Sequence, residues 1–263
     1  MKLYPLYFYF SFFLLQGYFC NALIIEHDCI TEVTRYLEPH KKILVLLDID
    51  NTIAAPPSDL GSDQWFNDLV LAICEQQGLE KKEAVQKGIE LYHHIHTHIE
   101  LRPVEAQTPA FIASLQKQNI PVLALTARTI IERTFQQLET ITIDFRHTAL
   151  SNKTFDLSLH HPAFYQQGII FCGNNDKGTV LGAFLERISY QPDKIIYVDD
   201  KEGNLKAVEQ ALQSRGIEFV GIRYSRLDER VKNINSSAIQ KELADFLQKY
   251  PFKATPALTG IQA

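Results

Sequence analysis

The sequence predicts a doubly wound α/β domain: a parallel sheet with helices on both faces and a small helical lid inserted after the first core strand. Three observations predict it. Five short aliphatic runs, at 43–47 (ILVLL), 121–125 (PVLAL), 168–172 (GIIFC), 194–198 (KIIYV) and 218–222 (EFVGI), lack polar alternation, as strands buried on both faces do. Segments with helical spacing separate the later runs, and strand–helix alternation points to a parallel sheet with right-handed crossovers. The interval between the first two runs is too long for a simple crossover and carries two helical patterns of its own.

Residues 1–22 come first and belong to a different chemistry. One lysine, a stretch dense in Phe, Tyr and Leu, and a small-x-small ending at Cys20 and Ala22 fit a signal peptide. The expectation is an exported protein, periplasmic or secreted. The alternative is an uncleaved signal anchor, because 3–19 approaches the length of a membrane span. No later run does, so no stable membrane span is expected after cleavage.

Residues 23–42 mix apolar and charged positions and predict a helix leading into the domain. After the first run, Pro56-Pro57 and Gly61 mark a loop, and 65–73 and 81–99 read as helices. The second has Val85, Ile89, Tyr92 and Ile99 on one side. Together they form the lid, at about 54–105, over the carboxyl end of the sheet, where open α/β folds bind ligands. Trp65 is expected to anchor it. Ile130, Ile131, Phe135 and Leu138 share one helical face, Val180, Leu181, Phe184 and Leu185 a second, and Leu205, Val208 and Leu212 a third. The domain spans 23–250, and 251–263 is a patternless tail.

Composition sets outer limits. The chain has 263 residues, 46% hydrophobic and 22% charged, with 12 Gly and 11 Pro, which excludes collagen-like, low-complexity and disordered classes. A net charge of -5 argues against nucleic acid as a partner. Four cysteines are too few for a disulfide scaffold. Cys29 with Cys74 is the favoured single disulfide, and free buried thiols are the alternative.

The chemistry gathers at strand ends. LVLLDIDNT places Asp48 and Asp50 at the exit of a buried strand. Two carboxylates about 4 Å apart repel by about 4 kcal/mol at an effective dielectric near 20, so such a pair calls for a cation or a raised pKa. Hard oxygen ligands suit Mg²⁺. A second acid pair, Asp199-Asp200, ends KIIYV and is followed by Asn204; in a parallel sheet the two pairs converge if their strands are neighbours. Thr126-Ala127-Arg128 after the second run reads as a helix start with an anion-binding hydroxyl. Lys177 opens the helix after the third run, with Lys153 as a rival lysine. His93, His94, His96 and His98 cluster in the second lid helix. His94 and His98 have the spacing of a zinc pair, but a solvated polar face is favoured.

Acids, hydroxyl, lysine and acids in this order, each after a strand, resemble the haloacid-dehalogenase-like (HAD) hydrolase superfamily over roughly 43–205. DIDNT matches its first motif, Thr126 the second, Lys177 the third, and Asp199, Asp200 and Asn204 the fourth. The chain is similar to exported bacterial members of that superfamily without an assigned substrate. The resemblance implies a Rossmann-like core and a Mg²⁺-dependent phosphatase acting on a small-molecule phosphate ester. Asp48 would be the nucleophile and Asp50 the general acid/base. Thr126 and Lys177 would hold the phosphoryl group. Asp48, Asp50 and Asp200 would hold the metal, with Asp199 and Asn204 in support. Dehalogenating members lack an acid at the position of Asp50, which favours phosphoryl chemistry. Asp-Asp in the fourth motif leaves the choice of metal ligand between Asp199 and Asp200 open, and transfer to an alcohol stands beside hydrolysis. The alternative is a non-catalytic binding module that uses the lid or its His-rich helix.

Overall fold

The computed structural model describes residues 22–252. An edge strand β1 (Ala22–His27) and a 3-10 helix (Ile30–Tyr36) precede β2 (Ile43–Leu47). The insertion opens with β3 (Ala54–Ala55), holds α1 (Asp63–Gln77) and α2 (Lys81–His98), and closes with β4 (Arg102–Pro103), which pairs antiparallel with β3 as a neck. There follow α3 (Thr108–Lys117), β5 (Val122–Thr126), α4 (Ile131–Thr140), β6 (Phe155–Asp156), β7 (Phe164–Gln166) and β8 (Ile169–Phe171). The chain ends with α5 (Lys177–Arg187), β9 (Lys194–Asp199), α6 (Glu202–Gln213), β10 (Glu218–Tyr224), α7 (Asp228–Lys232) and α8 (Ser236–Lys249).

The main sheet runs β1-β10-β9-β2-β5-β8-β7-β6. It is parallel from β1 through β8 and antiparallel only at the short β7 and β6. The chain winds outward from β2 through β5 to β8, then returns to β9 on β2's other flank. The strand order therefore reverses beside β2, where an open α/β sheet leaves a crevice at its carboxyl end.

Alternation along each strand sorts two cores. Val45, Leu47, Ile196 and Val198 pack with Phe111, Ile112 and Leu115 of α3, Leu138 of α4 and the 3-10 helix. Leu44, Leu46, Ile195 and Tyr197 pack with Val180, Leu181 and Phe184 of α5 and with Leu205, Val208 and Leu212 of α6. Helices thus cover both faces, the doubly wound arrangement the aliphatic runs predict. Gly178 lets α5 and α6 close on each other: a Cβ there would lie 2.1 Å from the Ala207 carbonyl oxygen, far inside contact distance.

Above the carboxyl end sits a third cluster. Leu60, Trp65, Leu69, Val70 and Ile73 pack against Ala84, Leu91 and Ile95, together with Ile239 and Leu243 of α8. Trp65 is buried within it. Ser62 caps α1, accepting from the Trp65 amide at 3.1 Å, and Gly78 ends α1 with φ 63°.

Three expectations need correction. Residues 23–42 are not a helix: β1 pairs in parallel with β10, and a 3-10 turn follows. At an outer edge a strand keeps charged residues on its open side, which hides its pattern. Cys29 and Cys74 are free, because Cys74 packs into the cap cluster while Cys29 lies beside Thr31 and Gln107 near the sheet edge. Third, Thr126 ends β5 and α4 begins only at Ile131, so 127–130 is a loop and Thr126-Ala127-Arg128 is no helix start. The signal segment, Ala22 apart, and the tail beyond 252 lie outside the described residues. Among the described residues, no helix is long and apolar enough to cross a membrane.

Candidate active site

Strand parity explains which side chains meet. Asp48 continues the face of Leu44 and Leu46, and Asp199 that of Ile195 and Tyr197. Both aim at the side covered by α5, whose first residue is Lys177. β2 and β9 are neighbours in register, Leu47 opposite Val198, and the Asp48 amide donates to the Val198 carbonyl at 2.9 Å. Lys177 Nζ lies 2.7 Å from Asp48 Oδ1 and 2.8 Å from Asp199 Oδ2. After Asp50 the chain turns at Asn51, with φ 59°, a left-handed conformation that asparagine tolerates better than most residues.

The two acids of the fourth motif differ sharply. Asp199 is fully buried and saturated. It accepts from Asn204 Nδ2 at 2.9 and 3.0 Å, from the Lys201 amide at 2.7 Å, from Lys177 and from the Tyr197 hydroxyl. Asp200 accepts on Oδ2 from Asn51 Nδ2 at 3.3 Å, while its Oδ1 is buried without a partner. One oxygen from each of Asp48, Asp199 and Asp200 lies within 4.8 Å of the others. An orphaned buried carboxylate oxygen among three acids and one lysine fits a hard divalent cation.

Asp50 turns elsewhere. Arg128 chelates it, Nε to Oδ2 and Nη2 to Oδ1, both at 2.7 Å, and its Nη1 donates to Gln137 Oε1 at 2.8 Å. Gln137 Nε2 in turn donates to the Ile99 carbonyl at 2.9 Å, and Arg133 reaches the His96 and Ile99 carbonyls at 2.9 and 2.7 Å. The end of α2 is thereby tied to the loop that holds Asp50.

Electrostatics follow the geometry. Burial, then the charges of Asp199, Asp200 and Asp50, push Asp48 well above the usual carboxylate range, against the pull of Lys177. Burial lifts Asp200 to about 7, with Lys201 opposing and Asp199 adding. For Asp50 burial also acts upward, but the Arg128 charge and hydrogen bonds outweigh it and the carboxyl ends below its ordinary value. Burial alone would lower Lys177, yet Asp199 and Asp48 hold it above its ordinary value and charged.

Beside these groups lies a cavity of about 350 Å³, roofed by α1 and α2, whose lining does not include Asp199 or Asp200. Asp48, Asp50, Lys177 and Asn204 line it, as do Arg128, Thr129 and Lys201, which sequence reasoning did not assign roles. Thr126 is buried and does not line it; its hydroxyl accepts from the Arg128 amide at 3.2 Å. Lys153 is exposed in a distant loop and takes no part. The histidines divide: His98 is exposed, His93 and His94 are half-buried, and only His96 leaves the solvated face altogether. His96 is buried, within 2.8 Å of the Gly61 carbonyl, and is held near 4 by burial and then by Arg128. His94 meets the Tyr250 carbonyl at 3.0 Å and His98 the His94 carbonyl at 2.9 Å, both rings packing on α8. One ring nitrogen of each thus serves the cap, and among the described residues no third His, Cys, Asp or Glu joins the pair in a metal-sized group.

Comparison with known proteins places the chain. The family described as "Protein of unknown function (DUF2608)" matches residues 26–251. The chain belongs to this family. A Chlamydia pneumoniae relative, provisionally named an outer membrane protein, is 26% identical over 220 residues, covering 82% of each chain. A Chlamydia muridarum protein with the same provisional name is 26% identical over 183 residues, 69% of this chain and 68% of that one. An uncharacterized Rickettsia prowazekii protein is 27% identical over 197 residues, 69% of each. Among solved structures, a haloacid-dehalogenase-like family hydrolase from Streptococcus pneumoniae matches with a TM-score of 0.41 at 11% identity, over 68% of this chain and 92% of that one.

Proposed function

We propose that this family member is an exported, Mg²⁺-dependent phosphohydrolase that acts on a small-molecule phosphate monoester through an aspartyl-phosphate on Asp48. The observation that carries the reading is the buried Asp48–Lys177–Asp199 arrangement at the strand-order reversal, with one oxygen of the adjacent Asp200 left unpartnered. Asp48 and Asp200 would hold the cation directly, with Asp199, its oxygens filled, in support; the Asp50 side chain, expected as a third ligand, is instead taken up by Arg128. When bound, the cation neutralises charge on the phosphoryl oxygens and on the acids.

The residues divide the work. Asp48 Oδ attacks phosphorus as the ester oxygen leaves on the opposite side, and water later cleaves the acyl phosphate. Lys177 draws the phosphoryl oxygens toward Asp48 and opposes the protonation of that carboxylate. Thr126, buried behind the cavity wall, would serve the phosphoryl group through the Ala127–Thr129 loop that lines the cavity, which it braces by accepting from the Arg128 amide. Asp50 takes the proton of the attacking water. That role suits a carboxylate held ionised by Arg128, whereas protonating the leaving group requires the guanidinium first to release one Asp50 oxygen. The cap and the saturated Asp199 keep the site buried and fixed in place.

The purified protein should hydrolyse an aryl phosphate with Mg²⁺ and lose that activity with EDTA. Burst-phase acyl-phosphate trapping with labelled phosphate ester should mark Asp48. Full turnover in Asp48→Asn would refute the nucleophile. Product analysis with added alcohols separates hydrolysis from transfer.

A further inference from the structure

We propose that the cavity selects compact phosphate esters whose leaving group is uncharged and has an apolar face, and rejects those carrying a second anion. The inference rests on the phosphohydrolase reading and names its substrate class.

Shape comes first. A volume of about 350 Å³ is at the small end of ligand sites. The floor is ionic; on the cap side Asp63 and Asn67 of α1 stand beside an apolar stretch made by Phe66 of α1 and Val85, Ile89 and Tyr92 of α2. The three α2 residues are spaced four and three apart and share one helical face. The adjoining face of α2, with Ala84, Gly88, Leu91 and Ile95, is the one buried in the cap core. α2 is thus apolar on two faces, one buried in the cap core and the other half-buried, its Val85 and Tyr92 touching that core while Ile89 and both of them also face the cavity. An apolar ligand covering the other gains about 25 cal/mol for each Å² removed from water.

Charge decides the rest. Three cations line the cavity, and each is already matched. Arg128 is chelated to Asp50, Lys177 bridges Asp48 and Asp199, and Lys201 Nζ lies 2.5 Å from Asp63 Oδ2. The one lining histidine among the described residues, His96, is held near 4 by burial; His93, a turn away and within 3.1 Å of the Thr129 hydroxyl, is lowered by burial as well. Asp63 and Asp176 add carboxylates to the wall. The transferring phosphoryl group has Lys177 and the acid-bound cation to meet it. A second anion on the leaving group finds no unmatched cation among the described lining residues, and entering it must displace a carboxylate or stay unpaired.

The test compares phenyl phosphate with 3-carboxyphenyl phosphate and glucose 6-phosphate as substrates of the full protein with Mg²⁺. In parallel, calorimetry compares phenylphosphonate with 3-carboxyphenylphosphonate, reading the cavity without turnover. Expected are a kcat/KM at least tenfold higher for phenyl phosphate than for either other ester, and phosphonate affinities in the same order. Ile89→Arg, or Val85→Lys one turn away, supplies the missing cation and should narrow the carboxylate gap severalfold. Equal or better use of the carboxylated ester and phosphonate, or preference for the sugar ester, overturns the inference while leaving hydrolysis intact. Phosphonates bound in the expected order without turnover of any ester would retain the ligand class and overturn the hydrolase reading. Failure to bind either phosphonate overturns both.

Discussion

The two ends of β9 make an instructive pair. The strand begins with Lys194 and ends with Asp199, and each end holds a lysine whose side chain is 5% exposed. At the amino end, Lys194 and Lys41 meet Glu38 and Glu218 in a closed square of contacts at 2.5–2.9 Å. Two cations face two anions, and Glu38 remains 44% exposed to water. At the carboxyl end, Lys177 bridges the buried Asp48 and Asp199, while Asp200 lies beside them with one buried oxygen unpartnered and Lys201, itself paired with Asp63, opposing its charge. Equal burial of the lysines tells nothing about role. The difference is the uncompensated negative charge, which only the carboxyl end carries and which a structural ion pair has no reason to keep.

The largest expected effect separates the ends by chemistry. Asp48→Asn should lower phosphate-ester turnover by about 10³-fold or more, while Glu38→Gln leaves it within a factor of two, both measured by steady-state kinetics with Mg²⁺. Next comes stability. Lys177→Met strips the buried Asp48 and Asp199 of their cation and should cost about 3–5 kcal/mol in denaturant unfolding. Lys194→Met leaves glutamates that water and Lys41 can still serve, and should cost about 1 kcal/mol. Equal losses at the two ends would remove the basis of the comparison.

Metal sharpens it further. Saturating Mg²⁺ should raise the wild-type melting temperature, the stabilisation reaching about 2.7 kcal/mol at a hundred times the Kd. Asp200→Asn should abolish that gain, and Glu218→Gln should not. Gly178→Ala, which forces α5 off α6 and moves Lys177 with it, should cost about 1–3 kcal/mol and lower turnover as well. The smallest effect is one of pH. Glu38 is held at about 2 by its hydrogen bonds to Lys194 and Lys41, against an ordinary 4.5. A lowered carboxylate stabilises fully above its unfolded value and loses that contribution as pH falls through the folded one. The wild type minus Glu38→Gln stability difference should therefore be flat above pH 5 and shrink toward pH 2.

Much of the core could be read from the chain because buried parallel strands advertise themselves. The run at 43–47 coincides with β2, and the other four fall within a residue or two of β5, β8, β9 and β10. Lid helices at 65–73 and 81–99 correspond to α1 and α2. What stayed hidden depends on contacts between distant residues. β1 looks amphipathic because its pattern is set by β10, nearly two hundred residues on. The Arg128–Asp50 chelate joins residues that no local spacing relates, and so does α8's place against the cap. Asp199 and Asp200 are indistinguishable in sequence. They separate only when Tyr197, two residues back on the same strand face, and Asn204, on the following helix, are seen to claim the first.

The seating of α8 has a practical consequence. Ile239 and Leu243 are part of the same apolar cluster as Trp65 and Ile95, so the roof of the pocket is fastened by the last helix of the described chain. A reporter or affinity handle attached beyond residue 252 would hang from that roof rather than from the sheet. Tethers for immobilising the protein while watching ligands come and go belong instead on the opposite rim, near Glu38 and Lys41.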